Sequence, residues 1–139
     1  MSIDKILMAY DGSDSSRRAF RFALDVAAKF NSELHVVTVV HPPEFPDAVE
    51  MEAILEAATD ATEKEFESLR AEAAKAGLTL ETELATGHPA EQIVHVATEM
   101  KADLIVMGHR GKSVMERWLV GSVSKRVVSY APCSVTIVR

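Results

Sequence analysis

Cysteine occurs once in this chain of 139 residues, at Cys133. No internal disulfide can form, and the composition suits a reducing compartment. Positive charge is also short: 15 Lys and Arg against 21 Asp and Glu leave a formal net charge of −6, with the basic residues scattered along the chain. A general nucleic-acid or anionic-membrane partner needs a basic face, so both are excluded, and any bound anion must be held locally. Long apolar runs are missing as well. The opening MSIDKILMAY carries an acidic residue straight into a strand, so neither a signal peptide nor a membrane span is expected, and the cytoplasm is the expected location. The five histidines, His35, His41, His88, His95 and His109, show no close pairing along the chain, and with one cysteine no structural metal site is expected. Cys133 itself has nothing near it in sequence to activate a thiolate and reads as a structural cysteine. Repeats, low-complexity segments and linkers are absent.

What is present is a chain with 47% apolar and 26% charged residues, a globular composition. Its length suits one domain, residues 1–139, able to bury roughly two thirds of its unfolded surface. Apolar runs at 3–9 and 34–40 read as buried strands. Between them Ser13 can cap a helix whose stripe is Ala19, Phe20, Ala23, Leu24 and Ala27, ending at Asn31 in a left-handed conformation. The segment HPPEFPD is an irregular loop. A long helix follows over 49–76 with the stripe Met51, Leu55, Ala58, Thr62, Phe66, Leu69, Ala73 and Ala76, and Gly77 stops it. Residues 78–84 alternate as a strand with one wetter side, near a sheet edge. Pro89 opens a helix with Ile93, Val96, Ala97 and Met100 inward. Leu104, Ile105, Val106 and Met107 form a fourth buried strand, Val123, Val127 and Tyr130 share a helical face, and residues 134–138 form a last strand. Strict alternation of strand and helix specifies an α/β fold, a parallel sheet with helices on both faces and right-handed crossovers.

The stretch LIVMGHRGKSVMERWLVGSVS carries the chemistry. A buried strand stops at Gly108, Gly111 and Gly121 follow, and Ser122 begins a helix. Helix N-termini leave backbone N–H groups without partners and carry roughly +0.5 of an elementary charge. Glycines allow main chain to approach an anion closely, and Ser122, as N-cap or first helical residue, adds a hydroxyl. Phosphate is the expected guest. Gly111, Lys112 and Ser113 look like the end of a Walker A loop, but only two residues separate Gly108 from Gly111 where four are required.

Glycine, two residues, glycine, nine residues, glycine and serine is the pattern of the universal stress protein family, which this chain resembles over essentially its whole length. ILMAYDGSDSS, TGHPAEQIV, ADLIVMGHRG and APCSVTIV are similar to further hallmarks of that family. The resemblance implies a doubly wound five-stranded sheet of order 3-2-1-4-5, of the adenine nucleotide α-hydrolase-like type, which brings Asp11 opposite the Gly108 loop. It implies ATP as ligand, with magnesium compatible because that ion keeps its waters and bridges phosphates. By position, Ala9, Tyr10, Val39 and Met107 would surround adenine and Asp11 would contact ribose. Gly108, Arg110, Gly111, Gly121, Ser122 and Val123 would hold phosphates, with Ser124 a weaker addition. Each has a plainer reading: glycines turn chains, Asp11 suits a helix cap, Arg110 suits an exposed loop, and Val39 and Met107 would be buried without any nucleotide. Trp118 reads as packing, with a surface anchor for a protein partner as the other reading.

No catalytic residue is singled out. The function implied is a regulatory ATP-binding module of the stress response. The alternative is an ATP-cleaving enzyme of the adenine nucleotide α-hydrolase group, or a slow ATPase or autophosphorylating protein. Against the enzyme, Asp11-Gly12-Ser13-Asp14-Ser15 has a single glycine where that group carries serine and paired glycines, and no convincing general base stands in sequence beside the phosphate loop. In the family's order the last strand is an edge. Ser134, Val135, Thr136, Ile137 and Val138 carry neither charge nor proline to blunt pairing, so a two-fold homodimer through this edge is expected. Sedimentation at micromolar concentration should give a dimer, and a monomer would contradict the expectation.

Overall fold

The structure, a computed structural model, describes residues 2–110 and 121–139. The elements run β1 (Lys5–Ala9), α1 (Asp14–Phe30), β2 (Glu33–Val40), α2 (Ala48–Lys75), β3 (Leu80–Thr86), α3 (Pro89–Met100), β4 (Leu104–Gly108), α4 (Ser122–Tyr130) and β5 (Ser134–Val138). All strand pairs are parallel and the sheet order is β3-β2-β1-β4-β5. The period of two splits the strand residues between two cores. Ile6, Met8, Leu34, Val36, Leu104 and Val106 pack with α1 and α2. Leu7, Val37, Ile105 and Met107 pack with α3 and α4. The two-sided burial explains the near-continuous apolar runs of the central strands.

Local chemistry sets the boundaries. Ser13 caps α1 by accepting from the Ser16 amide at 3.1 Å, and Asn31 ends it at φ 54°. Residues 3–9 were expected as the first strand, but pairing begins at Lys5, because the Asp103 carboxylate takes the Asp4 and Lys5 amides at 2.9 and 3.0 Å. The third strand is displaced from the expected 78–84 to Leu80–Thr86. Gly77 at φ 77° and the Leu78 amide bonded to the Ala73 carbonyl at 2.9 Å close α2 with a Schellman turn, so Leu78 belongs to the cap.

The expected stripe of α2 is buried only at Thr62, Phe66, Leu69 and Ala73; Met51, Leu55 and Ala58 are half-buried and Ala76 is exposed. The cause is length. Its 28 residues span roughly 42 Å at about 1.5 Å each, against about 23 Å for the 7 residues of β3. Much of the N-terminal half therefore has no sheet beneath it. Tyr130, which shares a helical face with Val123 and Val127 by spacing, is 70% exposed at the final position of α4. Cys133 is half-buried against the α3 and α4 core, and burial raises its thiol pKa. Among the described residues, no helix is long and apolar enough to cross a membrane.

Two glycines are required for different reasons. Gly77 needs its left-handed φ, with open space around it, whereas a Cβ on Gly108 would lie 2.3 Å from Ser15 Oγ and 2.8 Å from the Ser15 carbonyl carbon. Gly77→Ala should cost about 1 kcal/mol, and Gly108→Ala about 3 kcal/mol by overpacking α1 against β4. Urea unfolding of both variants checks the ranking; the reverse order would contradict it.

Candidate functional site

The chain leaves β1 toward α1 on one face and β4 toward α4 on the other, so a crevice opens at the carboxyl ends of these neighbouring strands. A cavity of about 320 Å³ occupies it. Eleven of the twelve residues selected from the sequence line that cavity: Ala9, Tyr10, Asp11, Val39, Met107, Gly108, Arg110, Gly121, Ser122, Val123 and Ser124. The twelfth, Gly111, lies outside the described residues, as do Lys112, Ser113 and Trp118. Sequence reasoning missed Ser16, Val37, Pro89 and Ile93, which also line the cavity. Val37 could have been found, since it precedes Val39 by two and shares its face of β2.

One end of the crevice is apolar. Val37 and Val39 of β2, Ala9 of β1, Met107 of β4 and Pro89 and Ile93 of α3 supply it. Tyr10 contributes differently. Its ring turns to the other core, edge-on to Phe20 at 6.4 Å, and its hydroxyl donates to Glu65 Oε2 of α2 at 3.0 Å. Burial and that carboxylate raise its pKa above 10.0, which keeps the phenol a donor. The Tyr10 amide donates to the Val37 carbonyl and its carbonyl accepts from Thr38 Oγ1. Tyr10 therefore faces the crevice as main chain already committed to hydrogen bonds.

The other end is polar. Asp11 does not cap α1; its Oδ1 accepts from the Ser13 amide at 2.9 Å, in an Asx turn. Its second oxygen has no hydrogen-bond partner among the described residues. Across the crevice stands the N-terminus of α4, with Gly121 as N-cap at φ −64° and Ser122 as first helical residue. Among the described residues, no side chain caps this helix and no acidic residue lies in its first turn, whereas α1 and α2 have Ser13 and Asp47 caps with Asp14 and Glu50. The amides of this first turn thus face the crevice without a competing carboxylate among the described residues. Two bonds fix the turn over the end of β4: the Gly121 amide donates to the His109 carbonyl at 2.7 Å, and Ser124 Oγ donates to the Gly108 carbonyl at 3.0 Å. The hydroxyl of Ser124 is thereby spent within the protein.

His109, passed over in the sequence, is buried at the centre of a hydrogen-bond chain. Arg110 Nε donates to its Nε2 at 3.1 Å, and its Nδ1 stands 3.1 Å from Ser15 Oγ. Because Arg110 can only donate, Nε2 must be the bare nitrogen and Nδ1 carries the proton toward Ser15. Burial, then the Arg110 charge, lower the His109 pKa from 6.5; Arg139 and Arg18 act the same way and the Val138 carbonyl opposes. The neutral imidazole thus accepts from Arg110 on one side and donates toward Ser15 on the other. No spacing rule announces such a contact between the residue after β4 and α1.

The sequence profile described as the universal stress protein family matches residues 2–139. A universal stress protein of Thermus aquaticus is 42% identical over 136 residues, covering 96% of this chain and 97% of that one. The solved universal stress protein UspA from Lactobacillus plantarum superposes with a TM-score of 0.92 at 27% identity, covering 100% of this chain and 99% of that one. A universal stress protein crystallised in complex with cAMP superposes with a TM-score of 0.68 at 30% identity over 100% of this chain and 99% of that one.

The lowered His109 pKa has a measurable consequence. An unfolded chain takes up the proton first, near 6.5, so this group's contribution to stability is complete above that pH and is lost as pH falls toward the folded pKa. Urea unfolding at pH 7.5 and pH 5 should show a smaller loss of stability in His109→Gln than in the native chain. Identical pH dependence would contradict the assignment.

Proposed function

Because this chain belongs to the universal stress protein family, we propose that the crevice binds ATP and that the protein is a regulatory nucleotide-binding module. The observation that carries this reading is the pairing of an uncapped helix N-terminus with an apolar wall inside one cavity. A nucleotide has the same two halves. Adenine fits against Ala9, Val39 and Met107, ribose hydroxyls against the second oxygen of Asp11, and phosphates against Arg110 and the amides of Ser122 and Val123. Ser124 serves through its amide, since its hydroxyl is bonded to Gly108. Gly111 belongs to the same reading by its place in the motif. The relative crystallised with cAMP supports an adenine nucleotide as the class of ligand.

Magnesium enters this proposal only through the phosphates. Such an ion keeps its waters and takes phosphate oxygens, so it needs few protein ligands. Occupancy of the crevice changes the surface offered to a protein partner. A homodimer through the open edge of β5 (Ser134–Val138) remains part of the proposal, as does a cytoplasmic, single-domain protein.

Calorimetric titration of nucleotide-free protein tests the reading. ATP should bind with about micromolar affinity, near −8 kcal/mol. Arg110→Ala should weaken ATP by about tenfold or more and leave adenosine unchanged, because only ATP brings phosphates to that side chain. Absence of saturable binding below millimolar ATP would contradict the proposal. Steady multiple-turnover release of AMP and pyrophosphate would favour the enzyme instead.

A further inference from the structure

Two histidines distant in sequence meet at the rim of the crevice. The ring centroids of His41 and His88 are 4.8 Å apart, with their planes at 56°. Backbone structure brings them there. Parallel pairing of β2 with β3 ends at Val40 and Thr86, and the Gly87 amide extends the ladder by donating to the Val40 carbonyl at 2.9 Å. The next residue on each chain segment is a histidine. Each is followed by a proline, Pro42 and Pro89, which restricts its backbone to extended conformations; His88 shows this at φ −76° and ψ 125°. Although His88 is the N-cap of α3, its side chain makes no capping bond. Neither ring has a hydrogen-bond partner among the described residues, and both side chains are exposed.

We propose that His41 and His88 together form a binding site for a borderline-soft divalent transition metal ion such as Zn²⁺. The separation fits one shared ion. An imidazole nitrogen about 2.1 Å from zinc puts its ring centroid roughly 3.2 Å from the ion, so two rings at 90° to 109° stand roughly 4.5 to 5.2 Å apart. Imidazole pairs select Zn²⁺, Ni²⁺ or Cu²⁺ over Mg²⁺, which prefers oxygen. This site is therefore distinct from any magnesium carried by phosphates and stands independently of the nucleotide reading. With two protein ligands its other positions are open to water. The pair lies beside the crevice, since Val39 and Pro89, which line the cavity, are close in sequence to the two histidines.

Titration of Zn²⁺ into metal-stripped, nucleotide-free full-length protein at pH 7.5, followed by calorimetry, tests the site. One ion per chain should bind saturably, and more weakly at pH 5.5, because protons compete for the same nitrogens. His41→Ala and His88→Asn should each weaken binding by about tenfold or more. Asparagine at 88 preserves a good N-cap, so loss there does not reflect a damaged helix. His35, whose ring lies 3.4 Å from Glu83 on the sheet, provides the control, and His35→Gln should leave binding unchanged. Zinc affinity untouched by either substitution, or no saturable binding below millimolar zinc, would overturn the proposal.

Discussion

Two hydrogen bonds hold the first turn of α4 over the end of β4: Ser124 Oγ to the Gly108 carbonyl and the Gly121 amide to the His109 carbonyl. They lock a helix N-terminus over the carboxyl end of a central strand, beside the apolar side chains Ala9, Val39 and Met107. Gly108 is the hinge of this arrangement in both directions. Its carbonyl faces α4, while the position of its missing side chain is filled by Ser15 of α1. One residue thus joins the helical layers on opposite faces of the sheet. His109 extends the joint, bonding Ser15 on one side and Arg110 on the other.

This arrangement would let a chain with net charge −6 hold the anionic part of the proposed ligand. The favourable field is local. It comes from aligned peptide dipoles at the α4 terminus and from Arg110, and it decays within about a turn of helix. Acidic side chains are concentrated elsewhere: in the first turns of α1 and α2, where they satisfy other helix ends, and along the exposed faces of α2. The absence of an acidic residue in the first turn of α4 is therefore as informative as the glycines before it.

Much of this was legible in the sequence because it depends on local rules. Ser13 and Asn31 bound α1 as capping chemistry dictates, and the unbroken apolar run Leu104 to Met107 marked a strand buried on both faces. The strand order was supplied by the family resemblance, since periodicity does not order strands. What escaped was produced by tertiary approach. The slide of β3 followed from the bond of Leu78 to Ala73, the half-exposed end of α2 from its overhang beyond the sheet, and the Tyr10 ring from the face it takes at the end of β1. The His109 network joins the residue after β4 to α1, and the His41 and His88 rings meet only because two strands end together. A reading of spacing within one segment has no access to such contacts.

The central claim is that backbone amides at the start of α4 receive the charged part of a ligand whose apolar part rests on β2 and β4. Amide resonances of ¹⁵N-labelled protein titrated with ATP test it most directly. The account predicts saturable shifts concentrated at Ser122, Val123 and Ser124, accompanied by Val39 and Met107. Saturable shifts that leave the start of α4 unmoved, or no shifts at millimolar ATP, would contradict it.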